Sequence, residues 1–364
     1  MKLKYISTSI LPSRFANSVH VMKMCSAFSR FSDVELFAIE GEDSTDIYKA
    51  YSVERNFSTR KFKKGTGRIA SILYIFNIFT SVKREPDTLI YGRHLLSLLL
   101  LSLKGMPFAY EAHSLPSGFW GAITERLLFS LPNFKKLVVI SEALKKDYLL
   151  EVSTLSSQDI LIAHDGADAP PDLKVIESNS DKLKVGYIGQ LYKGRGVELI
   201  VELASLMSNI DFVIVGGMDN DISYWKAQTL NLCNIEFKGH MSHKELSHYY
   251  SKIDVLIAPY QSGPNQFIGN ADTSRWMSPM KIFEYMSYKK PIVCSDIPVL
   301  RETLNETNSC LVASDNVEEW VSAIKLLEND ICFSEYIATN AYQDFIGKYT
   351  WEKRAKYILD KVFV

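Results

Sequence analysis

The segment Ser278–Glu302, SPMKIFEYMSYKKPIVCSDIPVLRE, decides how the rest of the chain is read. Ser278 has the side chain of a helix N-cap, and Pro279 follows at the first helical position, where a missing N–H costs nothing. Ile282, Phe283 and Met286 then fall on one helical face. Lys289 and Lys290 close the last turn, where the helix dipole favours cations. Pro291 stops the helix, and Pro291–Ser295, PIVCS, has the short apolar character of a strand buried in a parallel sheet. The helix is thus predicted to open its free N–H groups at Ser278–Lys281, a place suited to a phosphate. Glu284 lies one turn further in. A plainer reading makes Lys281 and Glu284 an ordinary i,i+3 surface pair.

Outward from this segment, the same alternation of strand and helix covers both halves of the chain. LKYIST, VELFAI, TLIYG, MPFAYEAH, KLVVIS and DILIAH read as strands of the first half. Helical periodicity lies near Ser18–Phe31, Ile69–Val82, Phe119–Leu131 and Glu142–Leu150. KVGYIG, FVIVGG, NIEFKG, DVLIAP, PIVCS and SCLVA are the strands of the second half, each followed by a helix. Such spacing implies right-handed crossovers and parallel sheets covered on both faces. Asp165–Lys182 has two prolines and no periodicity, which sets the domain boundary there. The expected organisation is an α/β domain over 1–168, a second over 169–345, and a terminal helix over 346–364. Two such halves imply a cleft, with ligands at the carboxyl ends of strands.

Composition narrows the class. A chain of 364 residues with 47% hydrophobic and 23% charged residues can bury two cores and is neither disordered nor fibrous. A net charge of −1 gives no global case for nucleic-acid binding. The five cysteines are odd in number and far apart, which suggests free thiols in a reducing compartment. The N-terminal stretch is broken by Ser, Thr and Pro and makes a poor export signal. The longest apolar run, Leu95–Leu103, is too short to span a bilayer and reads as a buried helix. A cytoplasmic location is expected, with a peripheral position on the inner face of the plasma membrane as its extension.

Three further stretches could carry chemistry. Tyr187–Gly196, YIGQLYKGRG, is a strand, a glycine turn with two cations and a helix start, where backbone can approach a phosphate. AYEAHSLPS places His113 just after a strand, and YGRH does the same for Arg93 and His94. A glycine turn alone is as well explained as a plain βα connection, and a lone histidine as a structural one.

Taken together, these stretches resemble the retaining glycosyltransferases of family 4, the glycosyl transferases group 1. The likeness implies the GT-B architecture: two Rossmann-like domains facing each other across a cleft, with a C-terminal helix crossing back. It also implies that Glu284 accepts hydrogen bonds from a donor ribose, and that Ser278, Pro279, Met280 and Lys281 hold its diphosphate. Arg195 would pair with that diphosphate, within a turn made by Gly189, Gln190, Lys193 and Gly194. Phe237, Lys238 and Gly239, in NIEFKGHMSHKEL, would pack on the base. His113 would stand near the sugar, so that His113, Arg195 and Glu284 form the catalytic set. Ser18, His20, Arg93 and His94 would line the acceptor side. The chain departs from the family pattern at Trp276, where a second glutamate is usual, and at Gln190, where a cation is. Ala16, Asn17 and Ser18 stand where two glycines are common.

The activity so implied is transfer of a sugar, with retention, from a nucleoside diphosphate-sugar to a hydroxyl of a glycan or lipid-linked glycan. A role in bacterial surface polysaccharide synthesis, lipopolysaccharide O-antigen or capsule, follows by analogy. No cofactor and no metal are required, and no nucleic acid is involved. His240, His243 and His248 lack a completing acid or Cys, and Asp219–Asp221 reads as a helix cap. The basic run Arg60–Arg68, followed by an apolar helix, reads as a solvated loop or as a contact with an anionic membrane surface. A nicotinamide dehydrogenase would need a glycine fingerprint after the first strand, and SILPSRF has none. A nucleotide-sugar epimerase of the same fold and a non-catalytic two-domain sugar-binding protein remain the alternatives.

Overall fold

The computed structural model describes residues 1–63, 65, 67–170, 182–192, 194–241, 243–261 and 273–363. The chain divides into two compact units, Met1–Asp165 with Trp351–Val364, and Gly166–Thr350.

The first unit is built on a seven-stranded sheet. Its strands are β1 (Lys2–Leu11), β2 (Asp33–Glu40), β3 (Ser58–Lys63), β4 (Thr88–Gly92), β5 (Phe108–Ala112), β6 (Phe134–Val139) and β7 (Ile160–Ile162). They lie in the order β3-β2-β1-β4-β5-β6-β7, and every pair is parallel. Every residue of β4 and β5 is buried, because helices cover both faces of the sheet. The order reverses at β1, and right-handed crossovers therefore send the helices to opposite faces on either side of it. Helices Gly67–Ser81, Leu95–Ser102 and Gly118–Phe129 pack in succession on one face. Helix Ala16–Phe28 packs against the terminal helix Trp351–Val362 on the other.

The second unit repeats the design with β8 (Lys184–Ile188), β9 (Asp211–Val215), β10 (Ile235–Gly239), β11 (Val255–Ala258), β12 (Ile292–Ser295) and β13 (Cys310–Val312). Their order is β10-β9-β8-β11-β12-β13, again all parallel. Ile200, Leu203, Phe212, Ile214, Ile257 and the fully buried Trp320 form its core between sheet and helices. The order reverses between β8 and β11, which opens a crevice at their carboxyl ends.

Three local expectations are corrected. Arg60–Lys63 is not a loop but most of β3, an edge strand, where a lysine-rich sequence discourages further pairing. The helix Leu95–Ser102 is only partly buried, since Leu96, Leu100 and Leu103 face solvent. The helix after Ser278 begins at Met280 and ends at Ser287, so Pro279 is its N-cap rather than its first residue. Lys289 and Lys290 fall beyond its last turn, with Lys289 in a left-handed conformation (φ 52°).

Candidate active site

At the switch point of the second unit, the ends of three strands crowd together. Gly196 has φ 75°, and a Cβ there would meet the Pro259 carbonyl oxygen at 1.9 Å, so the turn after β8 touches the end of β11. Gly216 has φ 117°, and a Cβ on it would meet the Gly189 carbonyl oxygen at 2.1 Å. Only glycine fits either place.

Two cations converge on this point. The Arg195 guanidinium lies 4.8 Å over the Tyr192 ring and 5.7 Å over the Tyr260 ring, and it donates to the Tyr192 hydroxyl. Lys281 Nζ sits 4.2 Å over Tyr187 and 4.4 Å over the same Tyr260. Ring faces hold cations weakly and neutralise nothing. Among the described residues neither cation has a carboxylate within ion-pair distance, and Arg195 Nε is buried with no hydrogen-bond partner. Burial and the neighbouring Arg195 push the Lys281 ammonium well below its usual pKa, against smaller opposing pulls from Cys294 and Glu284. An anion seated between the two would relieve both strains.

The helix Met280–Ser287 is fixed on this point by Tyr285, whose hydroxyl accepts the Ile188 N–H at 2.8 Å. Glu284 is held by the Tyr250 hydroxyl, which donates to Oε2 at 3.2 Å, and Tyr250 stacks on Tyr288 with centroids 4.1 Å apart. The structure therefore brings together Gly189, Arg195, Lys281 and Glu284, with Ser278 buried at the helix entry. Pro279 and Met280 follow it, half-buried. Gln190 is exposed, and its carbonyl accepts from the Tyr187 hydroxyl at 2.7 Å. Gly194 lies in the same turn with φ 89°. Lys193 lies outside the described residues. Phe237 belongs to the hydrophobic core, Lys238 pairs with Glu236, and Gly239 adopts φ 80°. Burial thus withdraws the Phe237 ring from any stacking role. Trp276 is half-buried under Arg275, 5.8 Å from its ring. The tyrosines 187, 192, 250 and 260 were not anticipated; the only signal was Tyr260 closing DVLIAPY at a strand end.

The first unit holds a different constellation. Glu111, the fourth residue of β5, is fully buried and accepts from His113 Nε2 at 2.7 Å, from Arg354 at 3.1 Å and from the Tyr91 hydroxyl. His20 Nε2 lies 3.2 Å from both Glu111 Oε1 and Asp165 Oδ1, and its ring stands edge-on to His113 and Trp351. Burial would push the Glu111 carboxyl up, but Arg354, His20 and His113 outweigh it and hold it well below the usual range. Burial also lowers His113 to about 4, aided by Arg93 and opposed by Glu111. At pH 7 a neutral His113 donating from Nε2 leaves Nδ1 as a proton acceptor. Ligand atoms of His20, Glu111 and His113 lie within 4.8 Å of one another, a spacing a metal could use. Glu111 Oε1 already receives a guanidinium, however, and a cation there would be set against Arg354.

Of the residues expected on the acceptor side, Ser18 and His20 are withdrawn. Ser18 is fully buried and donates to the Ile10 carbonyl at 3.0 Å, and His20 is 2% exposed. Arg93 and His94 stay half-buried at the end of β4, with His94 Nδ1 2.7 Å from Ser97 Oγ. His240 and His248 are exposed, and Asp221 caps its helix by accepting from Met218 N at 3.3 Å.

Residues 168–344, which lie within the second unit, match the family model described as Glycosyl transferases group 1. A Bacillus subtilis protein named for teichuronic acid biosynthesis, the glycosyltransferase TuaH, is 28% identical over 131 residues, 35% of this chain and 30% of its own length. An uncharacterised glycosyltransferase of Methanocaldococcus jannaschii is 26% identical over 254 residues, 66% of this chain and 60% of its own length. The chain thus spans 30% and 60% of the length of these two curated relatives. A crystal structure of Anabaena HepE with UDP and glucose superposes with a TM-score of 0.71 at 15% identity, over 99% of this chain and 98% of that one. The fold is α/β of the GT-B class, with two Rossmann-like domains of parallel sheet. Among the described residues no helix is long and apolar enough to cross a membrane.

Proposed function

We propose that the protein transfers a sugar, with retention of anomeric configuration, from a nucleoside diphosphate-sugar to a hydroxyl of a glycan or lipid-linked glycan. The observation that carries this reading is the pair Arg195 and Lys281, which converge on a strand switch point over the shared Tyr260 ring. Two withdrawn cations that no described carboxylate neutralises suit a diphosphate, whose oxygens accept charge-assisted hydrogen bonds. Breaking the anomeric C–O bond puts further negative charge on that group, and fixed cations stabilise it where it develops. The helix beginning at Met280 adds its N-terminal dipole. Glu284, steadied by Tyr250, is placed to accept from ribose hydroxyls. With two cations supplying the charge, the leaving diphosphate needs no metal. His113, neutral with Nδ1 free to accept, would bond a sugar hydroxyl rather than supply a charge.

The name of one relative, for teichuronic acid biosynthesis, supports a surface-polysaccharide acceptor. The test is calorimetric titration of the purified chain with UDP and GDP, followed by the anomeric proton coupling of the product. Binding of one nucleoside diphosphate, weakened roughly tenfold to a hundredfold in Arg195→Ala, is expected, since charged hydrogen bonds contribute about 1.5–3 kcal/mol. Equal binding by wild type and Arg195→Ala would overturn the assignment, and conversion of donor sugar without acceptor would favour an epimerase.

A further inference from the structure

Three helices on one face of the first unit carry apolar side chains outward. In Gly67–Ser81, Tyr74 and Ile78 face the sheet, while Ile69, Ile72, Leu73 and Phe76 are 55–76% exposed. Their spacing of i, i+3, i+4 and i+7 makes a second apolar stripe, on the solvent side. The adjoining helix Leu95–Ser102 exposes Leu96 and Leu100, continued by Leu103 just past its end. The third, Gly118–Phe129, exposes Phe119 and Trp120 at 72% and 78%, with Ile123 and Leu127 one and two turns on. Each helix packs against the next, so the stripes join into one surface. Soluble surfaces seldom carry so wide an apolar patch without a partner.

Charge identifies the partner. The first two helices contain no Asp or Glu, and the one acid of the third, Glu125, is buried. The sequence Arg60–Arg84 holds seven Lys and Arg residues and no acid. Lys83 and Arg84 stand exposed just past the end of the first helix, and Arg126 lies beside the stripe of the third. We propose that this face docks on an anionic lipid bilayer, with Trp120, Phe119 and Phe76 entering the headgroup region and the flanking cations meeting lipid phosphates. A second copy of the chain would bring the same cations to the same surface, whereas an anionic bilayer supplies the opposite charge. The lipid contact so defined is centred on the three helices; the basic strand β3 contributes charge at its border.

The experiment is co-sedimentation of the full chain with vesicles of phosphatidylcholine alone and of phosphatidylcholine mixed with phosphatidylglycerol. Binding to the mixed vesicles, weakened by salt, is expected. Phe76→Ser/Trp120→Ser, with both changes at exposed positions, should lose roughly tenfold or more in partitioning. Lys83→Glu/Arg84→Glu, which leaves the apolar stripes intact, should lose binding to the anionic vesicles selectively. Far-UV circular dichroism confirms that each variant is folded. The proposal is overturned if the wild type ignores anionic vesicles, if both folded double variants bind like it, or if sedimentation velocity shows a dimer that Phe76→Ser/Trp120→Ser dissolves without any vesicle binding.

Discussion

Glu111 in the first unit and Lys281 in the second are both charged groups drawn away from water, and they are treated in opposite ways. Around Glu111 the protein supplies the counter-charge itself: Arg354 from the terminal helix, with His20, His113 and Tyr91 completing the shell. Around Lys281 the described residues supply a second cation, Arg195, and two aromatic rings, Tyr187 and Tyr260. A compensated buried charge belongs to the fold, because removing one partner strands the other. A pair that no described carboxylate compensates suits an anionic ligand, because the described residues alone leave it strained.

The sharpest way to break this contrast is Arg354→Ala. The Glu111 carboxylate would lose its guanidinium in a fully buried site, and stability should fall by about 3–5 kcal/mol in urea unfolding followed by tryptophan fluorescence. A variant as stable as wild type would mean that the cluster is not a structural ion pair. Lys281→Met is the counterpart in the second unit. There the ligand-free protein should unfold at an unchanged or higher urea concentration, while nucleoside diphosphate affinity falls roughly tenfold or more. Loss of stability in Lys281→Met would make its site as structural as the other.

The two regions should also answer pH in separate windows. His113 is held at about 4, below its ordinary 6.5, so as pH falls from 6.5 to 4 the unfolded chain binds a proton that the folded chain refuses. Stability is thus full above 6.5 and lost on acidification, by roughly 1–3 kcal/mol for such a group. His113→Asn should flatten this limb. Lys281 is lowered from 10.5, so the unfolded chain again binds the extra proton, now on the alkaline side. Ligand-free stability should rise with pH up to about 10.5, and Lys281→Met should remove that rise. Urea titrations across pH distinguish the two limbs, and identical profiles for wild type and both variants would dissolve the contrast.

Much of this was legible in the sequence, because parallel α/β sheets write themselves as apolar runs separated by helical periods. The run TLIYG coincides with β4, and Arg195 and Lys281 lie over one shared ring with Glu284 one turn along the same helix. β3 was missed because an edge strand rich in lysine has the composition of a loop. Ser18 and His20 were expected on the acceptor side from the likeness to the family's first loop and helix, whereas both are buried here, Ser18 donating to the Ile10 carbonyl and His20 Nε2 lying 3.2 Å from the Glu111 and Asp165 carboxylates. The tyrosine cage could not be read at all. Tyr187 lies in β8, Tyr192 in the turn that follows it and Tyr260 two residues past the end of β11, and only folding shows that their rings meet the same two cations. Nor does sequence reveal that Arg354 lies against Glu111, 243 residues away.

The smallest effect tests the second unit most finely. Tyr250 reaches Glu284 from the helix His243–Lys252, and its ring is already fixed by stacking on Tyr288 at 12°. Tyr250→Phe keeps that stacking and deletes one hydrogen bond to a carboxylate. Glu284 would keep its charge and its place on the helix but lose the contact that orients Oε2. A net hydrogen bond contributes about 0.5–1.5 kcal/mol, so the donor KM should rise roughly threefold to tenfold while the melting temperature barely moves. If Glu284 meets the ribose, the penalty should vanish for a donor analogue lacking the ribose hydroxyls, since nothing then depends on how the carboxylate is aimed. A KM change of the same size for both donors would show that Tyr250 supports the helix and not the recognition of ribose.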